Sequence, residues 1–143
     1  MDRLFAYGTL LAPELRGAVI GRAVEGDPAV LPGYACYRVR RAAYPAIVQQ
    51  QGTNTHGSLF AGIEPTEWDR LDNFESHLYE RRLVEVTLSA SSHRSAYAYV
   101  VAATFRHRVS EEPWRLERFR RDRLNRYLNR LSREPEDRPD QNT

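Results

Sequence analysis

The chain has 143 residues and a mass of 16.6 kDa, is 41% hydrophobic and 28% charged, and reads as one ordinary globular domain with a core of its own. A single cysteine, Cys36, excludes an intramolecular disulfide and a cysteine-built zinc site, and its thiol is expected to behave as a small buried hydrophobe. The net charge is +2 and all 21 basic residues are arginine, a balance too mild to argue for nucleic acid from total charge alone.

The opening MDRLFAYGTL carries an acid at once and too short an apolar stretch for a signal peptide, and no run approaches a membrane span, so a cytoplasmic protein without membrane contact is expected. Residues 3–7 form an apolar run that stops at Gly8, the pattern of a buried first strand followed by a turn. Pro13 and Glu14 then suit a first helical turn, and Leu15, Ala18 and Val19 share one face, predicting a helix over 13–20. Strands are expected at 29–31 and 34–39 around Pro32-Gly33. Two more are expected at 46–48 and 57–63, separated by a polar turn, QQQGTNT. Pro65 opens a second helix, running to Glu75. The segments 83–88 and 95–102 alternate in polarity and are expected to pair antiparallel. From Pro113 to Arg133, Leu116, Phe119, Leu124, Tyr127, Leu128 and Leu131 occupy one half of a helical wheel and arginines most of the other, predicting one long amphipathic helix. The polar stretch 134–143 is expected to be a disordered tail, leaving residues 1–133 as the domain. Strands and helices without steady alternation predict an α+β fold, a small mixed barrel or curled sheet with helices outside.

The helix 65–75 carries the most informative local feature. At about 100° per residue, Trp68, Leu71 and Glu75 lie on one face, so an acid points where two large apolar side chains point. A buried, unpaired carboxylate is costly or has a raised pKa, the property of a general acid/base. The alternative is that the helix ends near Phe74 and Glu75 is exposed or paired with Arg81 or Arg82; Asp72 is the neighbouring candidate acid. Gly8 lets a ligand approach the main chain at the strand-to-helix turn, whose amides can meet an anion, although a plain turn has the same pattern. His56, His77, His93 and His107 lack metal-ligand spacing, and no GxSxG, Walker or GxGxxG motif occurs. The arginines of the last helix are interrupted by Glu117, Asp122 and Glu134, which favours a solvated face over a nucleic-acid surface.

Taken in order, LFAYGTLLAPELRGAVIGR, LPGYACYRV, YPAIV, HGSLFAGI, EWDRLDNFESHLYERRLVEV and AYAYVV resemble the gamma-glutamylcyclotransferase-like family, in its small AIG2-like branch, over about residues 3–131. The resemblance implies a compact mixed β-barrel with flanking helices and a cavity between the YGTL loop and an acid. It implies Tyr7, Gly8, Thr9 and Leu10 as a substrate loop, Glu75 as general acid/base, and Tyr44, Tyr79 and Tyr99 as further cavity residues. The implied reaction is cofactor-independent ring closure of a small γ-glutamyl amine or amino acid to 5-oxoproline. A non-catalytic small-molecule-binding or regulatory module using the same cavity is the rival expectation. The expected partner is a small molecule, with no nucleic acid and no membrane, and the chain is expected to be a monomer.

Overall fold

A computed structural model describes residues 2–89 and 91–141, with side chains described as far as Ser132. Strand β1 (Leu4–Ala6) enters a short 3-10 turn (Thr9–Leu11) and helix α1 (Pro13–Ile20), followed by β2 (Asp27–Val39) and β3 (Pro45–Phe60). Helix α2 (Pro65–Glu75) leads to β4 (Tyr79–Ser89) and β5 (Ser92–Val101). A second 3-10 segment (Ala103–Arg108), β6 (Val109–Pro113), α3 (Leu116–Asp122) and α4 (Leu124–Gln141) complete the chain.

The sheet order β3-β1-β5-β4-β2 closes through pairing of β2 with β3, making a five-stranded barrel, and β6 adds to the free side of β2. Only β1 and β5 run parallel; the other neighbours are antiparallel. One apolar cluster, including Phe5, Leu31, Ile47, Val86 and Ala98, draws on all five barrel strands and fills the interior. Alternation along β1 and β5 turns Leu4, Ala6 and Tyr99 to the other side. There they meet Leu15 and Ile20 of α1, Trp68 and Leu71 of α2, and Phe119 and Leu124 of the terminal helices.

Three expectations are corrected. The two strand pairs expected on either side of Pro32-Gly33 and QQQGTNT are two long continuous strands, β2 and β3. Their register jumps from Tyr34 opposite Gln49 to Pro32 opposite Asn54, so residues 50–53 stand against Gly33 alone. The polar segment is therefore a bulge in a paired strand and not a chain reversal. Pro32 has no amide to give the ladder, and Gly33 takes φ +82, a value glycine adopts without strain. The expected helix over 113–133 is two helices, broken at Arg123, whose backbone (φ −129, ψ −21) is not helical. The five-residue step between Phe119 and Leu124, both buried, fits no continuous apolar stripe, and the break returns both to the core. Strand β6 and the second 3-10 segment were not expected, because the segment VSEEP shows no apolar alternation. The tail expected over 134–143 falls on residues whose side chains are not described and, at 142–143, outside the described residues.

Candidate functional site

Helix α2 is built to hold its last residue firmly. Glu64 and Glu67 form a reciprocal capping box, Pro65 occupies the first turn, and the Arg22 guanidinium donates to both Glu67 carboxylate oxygens (2.6 and 3.1 Å). Trp68 and Leu71 are buried against the barrel, and one turn after Leu71 the same face presents Glu75. Directly after it, Ser76 adopts φ 68 and ψ 179, a region populated almost solely by glycine, which turns the chain sharply into β4.

Glu75 faces a cavity of about 950 Å³ bounded by β1, the loop after it, α1, the end of α2, the starts of β3 and β4, and α4. Tyr7, Gly8, Thr9, Leu10, Tyr44, Tyr79 and Tyr99 all line this cavity together with Glu75, so the expected substrate loop, acid/base and cavity tyrosines are brought to one place. The carboxyl is partly buried, and among the described residues no group hydrogen-bonds or ion-pairs with it. Burial, with a smaller contribution from the Asp72 carboxylate, pushes its pKa up to about 8. Arg81 and Arg82, its possible partners, are engaged elsewhere: Arg81 with Asp72 (3.6 Å) and over the Trp68 ring (4.7 Å), Arg82 with Glu80 (3.3 Å). Asp72 does not line the cavity; it accepts a 2.6 Å hydrogen bond from the Tyr99 hydroxyl.

The loop after β1 supplies the opposite wall. Its hydrogen bonds run from Leu11 N–H to Gly8 O and from Ala12 N–H to Thr9 O, leaving the amides of Gly8, Thr9 and Leu10 without an acceptor among the described residues. The Arg16 guanidinium donates to the carbonyls of Leu10 (3.2 Å), Leu11 (3.4 Å) and Val24 (3.1 Å), which ties the loop to α1. A Cβ at Gly8 would lie 2.8 Å from Pro45 Cγ, so only glycine lets the loop pass this close to β3.

Three of the four tyrosines spend their hydroxyls on anchoring. Tyr7 donates to the Tyr99 carbonyl (2.6 Å), Tyr79 to the Pro45 carbonyl (2.6 Å) and Tyr99 to Asp72. Burial is the main cause that raises all three phenols above their usual range, so they stay neutral and none can act as a base near neutrality. Burial likewise pushes the Cys36 thiol up to about 12, an inert side chain away from the cavity. Among the described residues no three His, Cys, Asp or Glu side chains come together as a metal-binding group.

Sequence reasoning missed the wall supplied by α4, where Tyr127, Arg130 and Leu131 line the cavity, and the contributions of Arg70, Asn73 and Ser76. Tyr127 and Leu131 were legible only as part of an apolar helix face and Arg130 as part of a solvated one. Nothing in helical periodicity says that this face ends over an opening.

Comparison with known proteins bears on the family and the fold. A family model described as Gamma-glutamyl cyclotransferase, AIG2-like matches residues 4–116. Protein AIG2 C of Arabidopsis thaliana is 32% identical over 91 residues, 64% of this chain and 55% of that protein. The chain thus spans a little over half the length of such relatives. Among solved structures, a solution structure from Arabidopsis thaliana superposes with a TM-score of 0.69 at 27% identity, covering 99% of this chain and 87% of that one. A structure described as gamma-glutamyl cyclotransferase superposes with a TM-score of 0.61 at 18% identity, covering 71% and 66%, a likeness of fold.

Proposed function

The chain belongs to the AIG2-like gamma-glutamyl cyclotransferase family, and on that premise we propose that it is an active γ-glutamyl cyclotransferase with Glu75 as general acid/base. The observation that carries the reading is a carboxyl of raised pKa, free of partners among the described residues, facing the loop Tyr7–Leu10 across one cavity.

The substrate's α-amine attacks its own γ-carbonyl carbon. The new C–N bond closes the five-membered ring of 5-oxoproline, and the original amide C–N bond breaks to release an amine or amino acid. The attacking nitrogen arrives as an ammonium and must give up a proton, while the leaving nitrogen must gain one. Glu75 performs both transfers, because a carboxyl with a pKa of about 8 is matched to an α-amine of pKa near 8. The amides of Gly8, Thr9 and Leu10, held by Arg16 from behind, are available to the α-carboxylate or to the oxyanion that forms on the attacked carbonyl. Tyr7, Tyr44, Tyr79 and Tyr99 give the walls that keep a flexible γ-glutamyl chain folded toward ring closure. The partner is a small γ-glutamyl molecule in the cytoplasm, and the working form is a monomer. In support of the monomer, Leu83 (59% exposed) is the only strongly exposed large apolar side chain among the described residues.

The test is 5-oxoproline release from a panel of γ-glutamyl amines and γ-glutamyl amino acids. Wild type should turn over part of the panel, and Glu75→Gln should lose about 10²-fold or more while keeping the fold and ligand affinity. Retention of most activity by Glu75→Gln removes Glu75 from its role. Saturable binding without any product from wild type points to the binding-module reading.

A further inference from the structure

Besides Glu75, two arginines, Arg70 and Arg130, line the cavity. With a pKa of about 8, Glu75 holds its proton most of the time at pH 7, so the two arginines set the local charge. Arg70 is committed: its guanidinium donates to the Ile20 carbonyl (2.5 Å) and fastens α2 to α1. Arg130 is different. It projects from α4, is exposed, lies 5.5 Å above the Tyr127 ring, and has no carboxylate partner among the described residues. Of the other arginines of the terminal helices, Arg120 pairs with Glu14 (2.8 Å) and Arg121 with Asp122 (2.9 Å), and none of them lines the cavity as Arg130 does. Helix α4 lies beyond the residues 4–116 matched by the family model.

Resting on the cyclotransferase reading, we propose that Arg130 is a specificity residue that binds a carboxylate on the leaving group, so that the enzyme prefers γ-glutamyl amino acids over γ-glutamyl amines. The glutamyl half is already provided for by the Gly8–Leu10 amides and Glu75. Tyr127, Arg130 and Leu131 of α4 line the same cavity as Glu75 and that loop, so a leaving group that reaches the α4 wall meets an arginine able to take a carboxylate in a two-pronged, charge-assisted hydrogen bond. Tyr127, beneath the guanidinium, keeps its plane in place.

The experiment compares γ-glutamylalanine with γ-glutamylethylamine, which differ only by the leaving-group carboxylate, in wild type, Arg130→Gln and Arg126→Gln. Wild type should favour γ-glutamylalanine in kcat/KM by about tenfold or more, the scale of one charge-assisted hydrogen bond. Arg130→Gln should bring the ratio close to one, and Arg126→Gln, an exposed arginine away from the cavity, should leave the ratio as in wild type. Equal use of the two compounds by wild type overturns the proposal, as does an equal loss on both in Arg130→Gln, which would assign Arg130 to the glutamyl half. If wild type forms no 5-oxoproline from either, the cyclotransferase reading fails by itself. Calorimetric affinities of the same two compounds for the same three proteins then decide the role of Arg130, a lost preference in Arg130→Gln supporting it and an absent preference in wild type overturning it.

Discussion

Asp72 and Glu75 sit three residues apart on one helix and are given opposite environments. Asp72 is exposed and held by two partners, the Tyr99 hydroxyl (2.6 Å) and Arg81 (3.6 Å); Glu75 is turned inward and faces an open cavity. The pair is thus divided into one carboxylate that braces the site and one free to exchange a proton. Asp72 also acts on Glu75 through space, since a negative neighbour disfavours a second negative charge. Asp72→Asn should therefore move the rising limb of the pH–rate profile to lower pH. The displacement should be smaller than the whole elevation, because burial is the larger cause. A pH titration of kcat/KM in wild type and variant checks this; a profile that stays in place would mean that the limb reports some group other than Glu75. The wild-type profile should rise from about pH 6 towards 8, as Glu75 ionises, and fall above it, where the substrate amine no longer brings the proton that the leaving nitrogen needs.

At the scale of elements, the helices 13–20 and 65–75 were legible to the residue, because each has a proline in its first turn and a clear apolar face. Glu75 was legible for the same reason: three side chains on one helical face are a purely local property. What was not legible depends on pairing between distant segments. The polar bulge at residues 50–53 looks like a turn until Tyr34 and Pro32 are known to lie opposite its ends. The break at Arg123 is likewise set from outside, by a barrel surface that receives Phe119 and Leu124 on the same side. Phe119 is the residue that joins these pieces: 2% exposed, it lies 6.0 Å from the Trp114 ring and meets Tyr127 edge-on at 5.0 Å. Phe119→Ala should cost about 3–5 kcal/mol in urea unfolding, the usual range for a fully buried phenylalanine. It should also raise KM more than it lowers kcat, since Tyr127 and Arg130 lose their support while Glu75 and the Gly8 loop keep theirs. A loss below about 1 kcal/mol would contradict the packing of α3 and α4 on the barrel.

Over the whole molecule, two sets of carboxyls give stability opposite dependences on pH. Glu14, Glu67, Glu112 and Asp122 each accept hydrogen bonds from an arginine, which lowers their pKa values. Groups of this kind favour the folded state above their unfolded pKa, and that contribution is lost as pH falls through their folded values. Glu75 has the reverse sign. Its folded pKa of about 8 exceeds the ordinary 4.5, so between those values the folded chain holds a proton that the unfolded chain releases. More protons are bound in the native state, and stability must fall as pH rises from about 4.5 to 8. The two trends together place maximal stability near pH 5, with a decline from there to about pH 8 that traces to one residue. Glu75→Gln carries no charge to desolvate, so the variant should lose that decline and be more stable than wild type by about 3 kcal/mol at pH 8, with little difference at pH 5. The carboxyl is only partly buried, which keeps this figure below what the full displacement of its pKa would give. Urea midpoints for both proteins across pH 4 to 9 check it. Parallel curves would mean that Glu75 is ionised in the folded protein at neutral pH, and its place as a proton carrier matched to an α-amine would be lost with the burial that argues for it.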